Sequence, residues 1–250
     1  MPLKRPIVSK VGAFDHWPLI LIDLHTREGI VGRAYLEPYL KQAARYIAPA
    51  IVDLAADRAG QPVRPLEDFQ KARKSLNLVG YETGRRRRFP CAEAAPWARA
   101  TGGRLARDRP SAPGGRQQIH LMVDFNQGLS LGDAERRCRA LDDEGLCWFE
   151  EPTSYDNTKG HRQLARDLKT PVQWGENFYG PREVAKAVQA GACDCVMLDL
   201  MRIGGVSGWL RSAPIASAMG IELSTHLYPE VCAQLMRITE TAHRLEWQNV

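Results

Sequence analysis

The sequence predicts an α/β protein, a partial (β/α) TIM-type barrel preceded by a smaller α+β unit, and three observations carry that prediction. From Ile119 onward, short apolar, β-prone runs alternate with amphipathic, helix-like stretches. Three of these runs lead to a carboxylate: Asp124 in IHLMVDFNQ, Glu150 in CWFEEPT and Glu176 in PVQWGENF, each 26 residues from the next. A period of about 25 residues is what one strand, one helix and two loops occupy when strands lie parallel. Parallel strands in register bring their C-terminal ends to one face, so acids distant in sequence converge there. A doubly wound sheet would give the same alternation, but no glycine-rich phosphate fingerprint follows any strand. Gly204-Gly205 comes nearest and alone is weak. The barrel is the better reading, with chemistry at the C-terminal strand ends.

Taken in order, residues 1–84 form the α+β unit. LILIDLHT and GIVGRAYL flank Arg27-Glu28-Gly29 as a hairpin-like pair of strands. Tyr39–Ala56 carries apolar residues at helical spacing, and Pro65–Leu78 opens with the helix start Pro-Leu-Glu-Asp and is closed by Gly80. Packing and capping of a neighbour is the expected role of this part. Residues 85–118 differ from the rest: Arg, Ala, Gly and Pro abound, aliphatics are few and no period is visible, the composition of a loop or disordered segment. Residues 119–250 are the barrel region. Its expected strands are IHLMVD, CWFE, PVQW, DCVMLD, IELSTH and a short last HRLEW. The expected helices are Leu131–Glu144, Lys159–Leu168, Pro181–Ala190, Val206–Met219 and Pro229–Met236.

Composition narrows the function classes. Hydrophobic content of 44% and charged content of 25% are those of a soluble globular protein. No apolar run reaches 18 residues and no signal-peptide pattern opens the chain, so a cytoplasmic protein without a membrane partner is expected. Six cysteines without a CxxC pair fit free, buried thiols, with Cys193 and Cys195 sharing one face of a strand. The net charge of +5 is local in origin. Residues 85–118 hold nine Arg and no Lys against Glu93 and Asp108, and the rest of the chain is slightly acidic. A nucleic-acid partner is therefore not expected.

Three oxygen ligands with no Cys or His among them suit a hard ion, Mg²⁺ before Zn²⁺. After Glu176 the polar strand ends continue with Asp199 in CVMLD, His226 in LSTH and Glu246 in HRLEW. Asp199 and His226 on adjacent strands make a pair in which the carboxylate fixes the imidazole tautomer and raises its basicity. Glu246 reads either as a protonated acid donating to a substrate oxygen or as a rim residue. The plainer alternatives are a satisfied core histidine and solvated loop carboxylates. The even spacing at strand ends favours the site.

VDFNQ, FEEPT, GEN, LDLMRIGGVSGW and STHLYPE resemble the mandelate racemase group of the enolase superfamily (the mandelate racemase/muconate lactonizing enzyme family). The resemblance covers residues 119–250 closely, and residues 11–84 more loosely resemble that family's N-terminal capping domain. It implies Mg²⁺ on Asp124, Glu150 and Glu176, holding a substrate carboxylate and stabilising the enediolate formed when the α-proton leaves. It implies His226, oriented by Asp199, as base on one face of the substrate, and Glu246 as hydrogen-bond donor to the carboxylate. Asn126, expected on the same side of its strand as Asp124, would position substrate or a metal-bound water. The implied reaction is removal of the α-proton of a 2-hydroxy carboxylate, foremost mandelate-type racemisation, with dehydration of an acid sugar as the alternative. The partner is then a small-molecule carboxylate, and homo-oligomeric assembly stays open.

The sequence also departs from that family. A Lys-x-Lys pair belongs on the strand before the one ending at Asp124, and here no lysine occurs between Lys74 and Lys159. The barrel strands expected before Ile119 and after Val250 are missing too, and open strand edges are an aggregation hazard. Reverse-translating Phe89–Trp97 and moving the frame forward by one nucleotide permits Phe, Arg, Ala or Val, a loosely limited position, Lys, three more loose positions and a forced Gly. This is close to the family's Phe-Arg-Ala-Val/Leu-Lys-x-Lys/Arg-x-Gly strand, although the second basic position admits Arg or His and not Lys. Residues from about 85 to 116 therefore read as a frameshifted stretch with a deletion beside it, against the alternative of a genuine family-specific loop. On the frameshift reading the chain is a damaged enzyme copy or a metal-binding remnant without turnover. The gene's nucleotide sequence across codons 80–120, read in all frames, decides between the two.

Overall fold

The structure, a computed structural model, describes residues 2–9, 12–38, 40–65, 67–68, 71–72, 104–107 and 120–247. The chain divides into two compact units, Met1–Ala94 and Ala95–Asn249.

The first unit is α+β. Strands β1 (Pro2–Ser9) and β2 (Gly12–His16) form an antiparallel hairpin that the sequence reading did not anticipate. Strands β3 (Ile20–His25) and β4 (Val31–Leu36) form the expected one, turning through Gly29 at φ 82°. Helix α1 (Lys41–Arg58) follows, close to the expected span. Phe14 and Trp17 are buried edge to face, their ring centroids 5.9 Å apart. Most of the expected helix Pro65–Leu78 lies outside the described residues.

The second unit is a curled six-stranded sheet with helices between its parallel strands. Strands β5 (Arg104–Arg107), β6 (Leu121–Asp124), β7 (Phe149–Glu150), β8 (Val172–Trp174), β9 (Cys195–Asp199) and β10 (Glu222–His226) lie side by side in chain order. From β6 to β10 all pairings are parallel. Helices α2 (Leu131–Leu141), α3 (Thr158–Asp167), α4 (Pro181–Gln189) and α5 (Gly205–Ala218) connect these strands, and α6 (Pro229–Met236) follows β10. This is the expected βα alternation of a partial barrel. Ala242 bridges Leu223 in parallel, so the HRLEW segment runs beside β10 although it forms no full strand.

One strand departs from the expectation. β5 lies in the Arg-rich segment that composition reads as loop, and it pairs antiparallel with β6, Arg104 opposite Asp124. The backbone of β6 would otherwise present an unpaired row of N–H and C=O groups, and four extended residues satisfy it. Regular hydrogen bonding thus prevails over composition at this edge. Other residues of 85–118 lie outside the described residues.

Helix starts are encoded locally. The Ser130 hydroxyl accepts the Asp133 N–H at 3.2 Å before α2, and the Asn157 side chain accepts the Gly160 N–H at 3.1 Å before α3. Pro181 and Pro229 open α4 and α6, where a missing N–H costs nothing. The outer face of the sheet buries Val123 and Phe149 against Cys138 of α2, and Val172 against Ala134 and Leu164. Each fully buried side chain of this kind stabilises by about 1.5–3 kcal/mol.

Register places the other face. Asp124 pairs with Glu150, Glu150 with Gln173, Gln173 with Cys195 and Cys195 with Glu222. That row begins at the last residue of β6 and ends at the first residue of β10. Successive strands therefore climb past one another, the stagger that curls a sheet toward a barrel. Partners in a parallel row point the same way, and Gln173 Nε2 accordingly reaches Glu150 Oε2 at 3.4 Å. Among the described residues no helix is long and apolar enough to cross a membrane.

Candidate metal and catalytic site

The C-terminal ends of β6 to β10 carry the residues singled out in the sequence. Asp124 and Glu150 end β6 and β7, Asp199 and His226 end β9 and β10, and Glu176 sits two residues past β8. Backbone strain concentrates here. The non-glycine residues with left-handed φ among those described are Asn126 (47°), Gln127 (61°), Glu151 (37°), Leu227 (55°) and Tyr228 (51°), all just beyond β6, β7 or β10. Such conformations cost roughly 1–3 kcal/mol each and persist where the surroundings enforce them. Here the Gln127 N–H donates to the Glu151 carbonyl at 2.8 Å, and the Leu227 N–H to Glu246 Oε2 at 2.7 Å.

Glycine is required before Glu176. Gly175 lies at φ 136°, and a Cβ there would sit 2.8 Å from the Met197 carbonyl oxygen and 2.8 Å from the Phe178 ring. The glycine lets the chain leave β8 tightly and deliver Glu176 to the site.

Asn126 differs from its expected place. β6 ends at Asp124, so Asn126 stands in the following turn. From there its backbone N–H donates to Asp124 Oδ1 at 2.7 Å, and its side-chain amide donates to Asp124 Oδ2. Glu150 Oε2 accepts from Trp148 Nε1 at 3.1 Å and from Gln173. Glu176 Oε1 accepts from Asn177 Nδ2 at 2.9 Å and from Arg202 Nη1 at 3.3 Å, and Arg202 also holds the Glu176 carbonyl at 3.0 Å. Glu176 Oε2 lies 3.3 Å from His226 Nε2. On its other side, His226 Nδ1 lies 2.8 Å from Asp199 Oδ2. Asp199 Oδ1 in turn accepts the Arg202 N–H at 2.8 Å.

The electrostatics mark these groups as one cluster. Burial, then the negative charges of Glu176 and Glu246, raise Asp124 to about 7. Burial also raises Glu150 well above the carboxylate range, with Asp124, Glu246 and Glu176 adding to it. For His226 burial alone acts downward, but Glu176, Glu246 and the hydrogen bond to Asp199 outweigh it and lift the imidazole to about 10. Five acids gather around one imidazole and one guanidinium, so acidic groups outnumber basic ones.

Three further residues belong to the cluster and escaped the sequence reading. Glu151 is buried, its Oε2 accepts from Asn177 at 3.3 Å and its Oε1 has no hydrogen-bond partner. Burial, then Glu176 and Glu150, raise it well above the ordinary range. Asn177 bridges Glu151 and Glu176, and Arg202 bridges Glu176 and Asp199. The second Glu of FEEPT, the Asn of GEN and the Arg of LMRIGG were the available signals. No periodicity distinguishes them from loop polar residues.

The donor set of Asp124, Glu150 and Glu176 is all carboxylate oxygen, which suits Mg²⁺, and the mutual repulsion of these buried acids is what a divalent cation would offset. Their oxygens do not all lie within 4.8 Å of one another, and Glu176 is engaged by Arg202 and His226.

A family model described as "Enolase C-terminal domain-like" matches residues 111–249. The chain belongs to the enolase superfamily. Enzymes of this superfamily are Mg-dependent and include racemases, epimerases and dehydratases. Among curated relatives, the L-talarate/galactarate dehydratase of Salmonella typhimurium is 34% identical over 135 residues, 53% of this chain and 34% of that protein. The chain thus spans about a third of that relative's length. An enolase crystal structure from the alpha proteobacterium bal199 with bound magnesium aligns at TM-score 0.83 and 42% identity, covering 99% of this chain and 85% of that one. An enolase from Bradyrhizobium complexed with magnesium and mandelic acid aligns at TM-score 0.81 and 27% identity, covering 99% and 84%.

Proposed function

We propose that the site abstracts the α-proton of a 2-hydroxy carboxylate, with His226 as the base and Mg²⁺ held by Asp124, Glu150 and Glu176. The observation that carries this reading is the contact of His226 Nδ1 with Asp199 Oδ2 at 2.8 Å, which leaves Nε2 directed among the acids. Asp199 fixes the tautomer, so that Nε2 can accept a proton. Bound Mg²⁺ would supply positive charge to the substrate carboxylate and so lower the cost of deprotonating the adjacent carbon. With Glu176 as a ligand, a bound cation would offset the foremost of the charges that raise the imidazole. Glu246 faces the same cluster. Its Oε2 accepts the Leu227 N–H at 2.7 Å, which holds the carboxyl at the cluster, and a protonated Glu246 would donate to the substrate carboxylate as the enediolate forms. Asn126 fixes both oxygens of Asp124 and so orients that ligand as well as the substrate edge.

Racemisation needs a base on each face of the substrate. His226 supplies one, and with no lysine between Lys74 and Lys159 a second base is not assigned. Mandelate-type racemisation is supported by the Bradyrhizobium neighbour with its bound mandelic acid. Acid-sugar dehydration is favoured by the 34% identity to a talarate/galactarate dehydratase, and it could proceed from one face. The Arg-rich segment as a frameshifted stretch in place of a lysine-bearing strand belongs to the same proposal.

Incubation with Mg²⁺ in deuterated water separates these outcomes. Mandelate or galactarate should gain deuterium at the α-carbon with wild type and lose that exchange in His226→Asn. Loss of water would identify a dehydratase. Exchange retained in His226→Asn would remove His226 from the role.

A further inference from the structure

A second group of metal-capable side chains gathers at the N-terminal ends of β9 and β10, at the opposite end of the strands from the carboxylate site. The Cys195 sulfur, a Glu222 carboxylate oxygen and a His243 ring nitrogen all lie within 4.8 Å of one another, the group with that property among the described residues. Three separate stretches of chain meet there. Cys195 and Glu222 are register partners and the first residues of their strands. His243 is fixed by its backbone N–H, which donates to the Leu223 carbonyl at 2.8 Å. Its ring stands edge-on to Trp148, the centroids 5.6 Å apart. Cys195 precedes Asp199 by four residues, about 13 Å along β9, and in register Gln173 of β8 stands between Cys195 and Glu150.

We propose that Cys195, Glu222 and His243 form a second metal site, selective for Zn²⁺ or a comparably soft divalent ion over Mg²⁺. One sulfur, one imidazole nitrogen and one carboxylate oxygen are a donor set that Zn²⁺ takes tetrahedrally and that Mg²⁺ disfavours. Glu222 has its side chain 58% exposed and gives an entry path, whereas Cys195 is buried and gives a water-poor inner wall. Three protein ligands leave a fourth position for water. On binding, the Cys195 S–H bond is replaced by an S–metal bond and the proton leaves to solvent. Thiolate and carboxylate together then neutralise the divalent charge. The ion would tie β9, β10 and the 241–246 segment together at the N-terminal end of the strands, the end of a barrel that serves stability rather than chemistry.

Titration of the metal-free chain with Co²⁺, followed by Zn²⁺ displacement, tests this. One equivalent of Co²⁺ should give a thiolate-to-cobalt charge-transfer band in the near ultraviolet, lost on adding Zn²⁺ and insensitive to excess Mg²⁺. The band should vanish in Cys195→Ser and persist in Cys232→Ser and in Asp124→Asn. Glu222→Gln, at an exposed position that leaves the fold undisturbed, should weaken Co²⁺ affinity at least tenfold. Absence of the band in wild type, its survival in Cys195→Ser, its loss in Asp124→Asn, or an unchanged affinity in Glu222→Gln would each overturn the proposal.

Discussion

His226 Nδ1 and Asp199 Oδ2 stand 2.8 Å apart although 27 residues separate them, because β9 and β10 pair in parallel with Asp199 directly opposite His226. Asp199 is itself buried and held by the Arg202 N–H at 2.8 Å. The imidazole is therefore fixed in both position and tautomer by backbone-anchored groups.

Asp199→Asn keeps the shape and removes the charge. Proton exchange should fall by about 10²–10⁴, the range of a general-base contribution. Mg²⁺ affinity should change by no more than a few fold, because Asp199 is not among the proposed ligands. Isothermal titration with Mg²⁺ beside the exchange assay checks both; a matching loss of metal binding would move Asp199 into the ligand set.

Mg²⁺ should stabilise the fold by mass action. At a concentration 100 times its Kd the gain is about 2.7 kcal/mol, read as a rise in thermal midpoint that EDTA reverses. Asp124→Asn should abolish the rise. Replacing this buried acid, raised to about 7, also relieves repulsion, so the variant should be no less stable than wild type without metal. A Mg²⁺-dependent rise that persists in Asp124→Asn would place the ion elsewhere.

His161 predicts a pH effect. It is wholly buried, stacked on Trp174 at 4.3 Å, and neither ring nitrogen has a hydrogen-bond partner. Burial lowers it from 6.5 to about 4. A histidine depressed by folding binds its proton more readily in the unfolded chain. Its contribution is therefore complete above pH 6.5 and is lost as pH falls toward about 4. The loss amounts to roughly 3 kcal/mol. His161→Phe keeps the stack, and its unfolding free energy by urea should fall less steeply than that of wild type across this window. Parallel slopes would mean that His161 is solvated.

Gly175→Ala should destabilise by roughly 1–3 kcal/mol, since φ 136° and a 2.8 Å approach to the Met197 carbonyl both forbid a Cβ. Glu176 follows directly, so Mg²⁺ affinity should fall as well. The urea midpoint and the Mg²⁺ titration report the two effects separately.

Much of this protein was legible in its residues. Alternating apolar runs and helical periods located β6 to β10 and α2 to α6 within a few residues, because each element has its own repeat and its own cap, such as Ser130 or Pro229. The spacing of Asp124, Glu150, Glu176, Asp199, His226 and Glu246 marked one face, because parallel strands repeat the same geometry every turn of chain. The hairpin of β1 and β2 was missed, and so was β5, an Arg-rich stretch that pairs along the edge of β6.

What the sequence alone determined was the order of strands and helices and which residues stand at strand ends, since periodicity and capping are local. The tertiary structure decided the rest. It placed Glu151, Asn177 and Arg202 as the brace around Glu176, turned Asn126 onto Asp124, and set Cys195 beside Glu222 and His243. Those relationships depend on the stagger of β6 to β10 and on left-handed turns at their ends. Stagger and turn geometry are set by the packing and hydrogen bonding of whole strands, and no single stretch of residues carries them.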